Sequence, residues 1–277
     1  MANSPRVGSR GRTVDASGVQ IVVTEFPNPG RPPVLLLHGI GSRGNSWWPV
    51  IDPLAERFHL YQLDLRGHGA SGKPERGYVV EQYAADLDAV IDALDLAEPR
   101  IMGHSLGALV TLLWASDRSP RAAAFVLEDP PLVTPPDILR AFDGWQQLAA
   151  LTPAAAAAWY SQEYPDWSEE DCLRRAETIT STAPGVFSEM RAMAEEALAT
   201  GTTDRTHLLA GVQTLTLLLR GNPELGGVVT PNDAARLMRV MPHALDVYFP
   251  EVGHGIHRDA TADFLAAVIP FLERPGA

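Results

Sequence analysis

Gly103-His104-Ser105-Leu106-Gly107 constrains this chain more than any other stretch. It follows the apolar run Arg100-Ile101-Met102 and precedes a helical segment, Ala108 to Trp114. A glycine on each side lets the backbone turn sharply from strand into helix, and such a turn pushes the central serine oxygen outward. A serine capping an ordinary strand-to-helix junction leaves the same local trace, so the rest of the chain must decide between the two.

Apolar runs and helical patterns alternate along the sequence. Val19 to Phe26, Val34 to Leu37, His59 to Leu63, Arg100 to Met102, Ala122 to Leu127, Thr214 to Leu219 and Leu245 to Phe249 read as strands. Several are short continuous apolar runs, the pattern of strands buried on both faces. Between them Trp47 to Arg57, Tyr83 to Leu96, Asp233 to Val240 and Ala260 to Leu272 read as helices. Such alternation implies an α/β protein, a mostly parallel sheet with helices on both faces. From Pro130 to about His207 the pattern changes to helical segments broken by Pro135-Pro136, Pro153, Pro165 and Pro184. That stretch reads as a helical lid over one sheet edge. Its aromatic residues, with Met190 and Met193, are expected mostly in packing.

At 277 residues the chain accommodates one large α/β domain with a modest insertion. Net charge is −12, which disfavours nucleic acid or an anionic membrane surface as partners. One cysteine, Cys172, permits no internal disulfide and no cysteine-held zinc, which fits a cytoplasmic setting. The opening Met1 to Arg12 is polar and basic rather than leader-like. No stretch approaches the roughly 18 apolar residues needed to span a bilayer. No membrane insertion is expected.

Ser105 is the nucleophile candidate, and a serine hydroxyl attacks well only when a base takes its proton. Histidine suits that role because it titrates near neutral pH. Of the eight histidines, His254 follows the last apolar run, in Gly253-His254-Gly255-Ile256-His257. A loop after a parallel strand lies at the sheet edge where ligands bind. His257 reads as part of the final helix, and His243, before its strand, falls at the opposite edge. His254-x-x-His257 lacks a third ligand for a metal, so no cofactor is expected.

The chain resembles the α/β-hydrolase family in four motifs in order. These are His38-Gly39-Ile40-Gly41, Asp64-Leu65-Arg66-Gly67-His68-Gly69-Ala70-Ser71, Gly103 to Gly107, and Gly253-His254. The resemblance implies the α/β-hydrolase fold, with a roughly eight-stranded, mostly parallel sheet and an inserted helical cap. It divides the chain into a core of residues 1–131 and 207–277 and a lid of residues 132–206. It implies Ser105 as nucleophile, His254 as base, and the Leu106 and Ile40 amides as an oxyanion hole. His38, His68 and Arg66 read as structural.

The family usually carries its acid after the seventh strand in a Gly-x-x-Asp context. Here that segment is Arg220-Gly221-Asn222-Pro223-Glu224, so Glu224 holds the position. Some members carry the acid after the sixth strand, where this chain has Glu128-Asp129-Pro130. Asp129 is preferred and Glu224 is the alternative; Glu128 should point to the other face. The expected activity is hydrolysis of a small apolar carboxylic ester or lactone. Perhydrolysis and carbon–carbon bond hydrolysis use the same triad, and a non-catalytic binding protein could share the fold. One of Trp47 and Trp48 is expected to face the site.

Overall fold

Strand residues alternate between the two faces of a sheet, so a continuous apolar run fills two core layers at once. The computed structural model describes residues 8–118 and 121–274. Met1 to Val7, Ser119-Pro120 and the last three residues of the expected core ranges lie outside the described residues. The strands are β1 (Arg10–Ala16), β2 (Val19–Phe26), β3 (Pro33–Leu37), β4 (His59–Asp64), β5 (Arg100–His104), β6 (Ala124–Glu128), β7 (Leu215–Gly221) and β8 (Leu245–Phe249). They form one eight-stranded sheet in the order β1-β2-β4-β3-β5-β6-β7-β8. Pairing is antiparallel from β1 to β2 and β2 to β4, and parallel elsewhere.

Helices cover both faces. Leu35, Leu37, Ile101, Phe125 and Leu127 pack on one side beneath α2 (Val80–Ala93), α3 (Leu106–Arg118) and α8 (Pro231–Val240). Val34, Leu36, Met102 and Val126 pack on the other, against α1 (Trp48–Ala55) and α10 (Thr261–Leu272), which follows the short α9 (Ile256–Asp259). Adjacent residues of β3 thus serve opposite layers, which is why that run carries no polar residue.

β1 is an addition to the strands read from sequence. Five of its seven residues are exposed, and it pairs on one side only, with β2. An edge strand needs no apolar run, so polarity hid it. The turn Ser17-Gly18, with φ of 55° and 87°, was the available hairpin signal.

Between β6 and β7 stand α4 (Ile138–Ala149), α5 (Pro153–Glu163), α6 (Glu169–Thr180) and α7 (Pro184–Thr200). Their core contains Phe142, Tyr160, Cys172, Ile179 and Phe187. The chain leaves and returns at one place. Val133 bridges Asp204, and the Arg205 amide donates to the Leu132 carbonyl at 2.9 Å. Ser168 caps α6 by accepting from the Asp171 amide, and Glu169, Glu170 and Asp171 occupy its first turn, where the helix dipole favours negative charge. Among the described residues no helix is long and apolar enough to cross a membrane.

Candidate active site

Two close approaches explain the Gly-x-Ser-x-Gly spacing. A Cβ on Gly103 would stand 2.4 Å from the Gly107 backbone, and one on Gly107 would stand 2.3 Å from the Leu37 carbonyl oxygen. Neither position accepts a side chain. Between them Ser105 is held at φ 52°, a left-handed conformation that costs a non-glycine residue about 1–3 kcal/mol. The Ser105 amide donates to the Glu128 carbonyl at 2.9 Å, and the Gly107 amide to the His38 carbonyl at 3.1 Å. The turn is therefore pinned to the strands on both sides.

β6 ends beside it, and Asp129 there has φ 45°. Its carboxylate is fully buried and satisfied on both oxygens. Oδ1 accepts from the Gly221 and Val229 amides at 3.4 and 3.3 Å, and Oδ2 accepts from the Val228 amide at 2.8 Å. Oδ2 also accepts from His254 Nδ1 at 2.7 Å. The last residue of β7 and the loop after it, which has no aspartate of its own, instead supply three backbone donors to the aspartate that follows β6. Glu224 lies in that loop's single 3-10 turn, exposed, and its side chain has no hydrogen bond or ion pair among the described residues. The structure brings Asp129 to His254 and leaves Glu224 in solvent.

With Nδ1 donating to a carboxylate, the neutral His254 ring carries its lone pair on Nε2. His254 and Ser105 line one cavity of about 600 Å³, together with Ile40. The Ile40 and Leu106 amides have no hydrogen-bond partner among the described residues. Leu106 opens α3, so its free N–H also carries the positive end of that helix dipole.

A second histidine–carboxylate pair underlies the first. Glu128, fully buried, accepts from both the His257 amide at 2.8 Å and the His257 Nδ1 at 2.9 Å. Trp47 packs against His257 with tilted rings, centroids 4.4 Å apart. His104 Nε2 donates to the His254 carbonyl at 2.9 Å. Sequence reasoning missed this brace, although the doublet Glu128-Asp129 facing the pair His254-x-x-His257 was its trace. The expectation that Trp47 or Trp48 faces Ser105 is corrected. Trp47 is buried beneath His257, and Trp48 lines an outer hollow under Arg174. The lid aromatics also differ from expectation: Trp145, Trp159, Tyr160, Tyr164 and Trp167 all line the cavity.

His38 and His68 hold the loop before α1. His38 Nε2 accepts from the Leu65 amide at 3.0 Å, and His68 Nε2 accepts from the Gly41 amide at 3.2 Å. Burial lowers their pKa values to about 4 and about 3, with the neighbouring His38 charge adding to the effect at His68. Burial, reinforced by His254 and His257, lowers His104 as well. An unfolded chain takes up such protons near pH 6.5, whereas the folded chain holds off until pH 4 or 3. Between those limits the unfolded state binds more protons, so stability is full above pH 6.5 and falls as pH drops. Each ring contributes a slope of about 1.4 kcal/mol per pH unit across that window. His68→Gln, which keeps an acceptor, should flatten denaturant-derived stability between pH 6 and 4.5 by that amount. An unchanged slope would show that His68 is already charged in the fold.

Residues 32–176 match the family described as alpha/beta hydrolase fold, over half of the chain. N-formylmaleamate deformylase of Pseudomonas putida is 29% identical over 272 residues, covering 96% of this chain and 97% of that protein. 2-(Acetamidomethylene)succinate hydrolase of Mesorhizobium japonicum is 27% identical over 270 residues, covering 95% of each. A crystal structure of E-2-(acetamidomethylene)succinate hydrolase superposes with a TM-score of 0.80 at 24% identity, covering 96% of this chain and 100% of that one.

Proposed function

This chain belongs to the alpha/beta hydrolase fold family, and we propose that it is a serine hydrolase cleaving a carboxylic ester or lactone through an acyl-enzyme on Ser105. The observation that carries this reading is the 2.7 Å contact of His254 with a buried, fully satisfied Asp129, in a cavity that also exposes Ser105. His254 Nε2 takes the Ser105 proton as Oγ attacks the acyl carbon. The oxyanion lies between the Leu106 and Ile40 amides, and donors of this kind are worth about 3–4 kcal/mol each. As the tetrahedral adduct collapses, His254 returns the proton to the leaving alkoxide, which departs as alcohol. Water, deprotonated by the same nitrogen, then releases the acid and restores Ser105. Asp129 keeps Nδ1 protonated and stabilises the imidazolium formed at each step. Residues 132–206 act as the lid that bounds the acyl pocket.

A second bond type is supported by the relatives named above: N-formylmaleamate deformylase and the acetamidomethylene hydrolase carry amide substrates in their names. The same Ser105 adduct would expel an amine or enamine in place of an alcohol. Mixing the enzyme with excess 4-nitrophenyl acetate tests the common step. A burst of about one nitrophenolate per protein chain, followed by slower turnover, is expected of acyl-enzyme accumulation. Release no faster than from Ser105→Ala, across esters, lactones and N-formyl amides alike, would remove the proposal.

A further inference from the structure

The cavity above Ser105 carries an unbalanced positive charge. Among the described residues its lining holds two arginines, Arg175 and Arg258, and no aspartate or glutamate. This runs against a chain with 34 acidic and 22 basic residues. The adjoining outer hollow, by contrast, is lined by Glu170, Asp171 and Asp259 as well as Arg174, Arg175 and Arg258, and its acidic residues pair with Arg174 and Arg258.

The two arginines differ in what they have to bind. Arg258 pairs with Asp259 through Nε at 2.8 Å and Nη2 at 3.1 Å, and its side chain is 57% exposed. Its charge is already met. Arg175 lies on α6, half-buried. The acidic residues of the preceding turn, Glu170 and Asp171, are taken by its neighbour Arg174 at 3.4 and 3.2 Å. Arg175 has no ion-pair partner among the described residues and instead faces the Tyr160 hydroxyl. Holding a guanidinium partly out of water without a counter-ion is unfavourable, and packing does not offset it. A carboxylate is the ligand that a guanidinium fork matches best, through two parallel N–H···O bonds.

We propose that the cavity takes an acyl substrate bearing a free carboxylate, such as a monoester, lactone or monoamide of a short dicarboxylic acid, with that carboxylate on Arg175 and the Tyr160 hydroxyl. The scissile carbonyl then lies over Ser105, which lines the same cavity. This rests on the acyl-transfer reading above and replaces the small apolar substrate expected from the sequence with an anionic one. Trp145, Trp159 and Trp167 line the same cavity and offer apolar surface to the carbon chain. A cavity of about 600 Å³ has the volume for a small acyl substrate of this kind.

The test compares mono-4-nitrophenyl glutarate with its methyl ester, which has the same acyl chain without the charge. Wild-type kcat/KM should favour the acid by about tenfold or more, a preference that falls toward one in Arg175→Gln through a rise in KM for the acid. Arg175→Lys, which keeps the charge but not the fork, should retain part of the preference. A wild-type preference for the methyl ester, or a preference unchanged in Arg175→Gln, would overturn the proposal. Calorimetric titration of glutarate into Ser105→Ala separates binding from chemistry. Binding that disappears in Ser105→Ala with Arg175→Gln supports the carboxylate site even if neither ester is turned over, an outcome that sinks only the acyl-transfer reading. No binding of glutarate to Ser105→Ala would sink the carboxylate site itself.

Discussion

Asp129→Asn should lower kcat by about 10³–10⁴-fold, while Glu224→Gln should leave it within about twofold of wild type. The asymmetry follows from what each carboxylate touches. Asp129 accepts from three backbone amides and His254, four donors around two oxygens. An asparagine has one oxygen to offer them. If its NH₂ group takes the Oδ2 position, it meets the Val228 N–H and forces His254 Nδ1 to become an acceptor, which puts the ring proton on the nitrogen that must serve as base. If it takes the Oδ1 position, it meets the Gly221 and Val229 amides, donor against donor. In both orientations the imidazolium formed during catalysis loses its counter-charge. Glu224 is exposed and meets none of these groups, so its amide changes nothing near the cavity. Steady-state kinetics with thermal unfolding as a control decides the matter. Near-full activity in Asp129→Asn, or a large loss in Glu224→Gln at unchanged folding, would exchange the two assignments.

Ser105 should show the largest effect of any single substitution. Ser105→Ala removes the attacking oxygen and should reduce kcat by about 10⁴–10⁶-fold, leaving whatever rate the oxyanion donors provide to water. His254→Gln should match it within an order of magnitude, because a nucleophile and its base act as one unit. Stability should move independently. Ser105 sits at φ 52°, where glycine is unstrained, so Ser105→Gly should be as inactive as Ser105→Ala yet no less stable than wild type. A residue held in strain that stability does not require is one kept for its position. Equal stability losses in Ser105→Ala and Ser105→Gly would instead make Ser105 a structural cap.

Much of the fold was legible because its signals are local. β3, β5 and β6 are buried on both faces and announce themselves as apolar runs, and the glycines around Ser105 are dictated by contacts of a few ångströms. β1 was illegible from hydropathy because an edge strand with five exposed residues has nothing to hide from water. The choice between Asp129 and Glu224 was open for a different reason. Both follow parallel strands at the same sheet edge, and the deciding fact is how the loop after β7 folds its amides around a neighbour. Nothing in the composition of Gly221 to Thr230 reports that. Arg175 left no trace at all, since its meaning depends on Arg174 claiming the acidic residues of the same helix. Residues that belong to motifs were readable singly; residues defined by what their neighbours leave unpaired were not.

The central claim is that Ser105, activated by His254 and Asp129, attacks an acyl carbon. Its most direct test is labelling with a fluorophosphonate, which phosphonylates an activated serine, followed by mass spectrometry of the labelled peptide. One adduct per chain on Ser105 is expected, abolished in Ser105→Ala and slowed strongly in His254→Gln and Asp129→Asn. An unlabelled wild-type protein, or an adduct on any other residue that persists in Ser105→Ala, would contradict it.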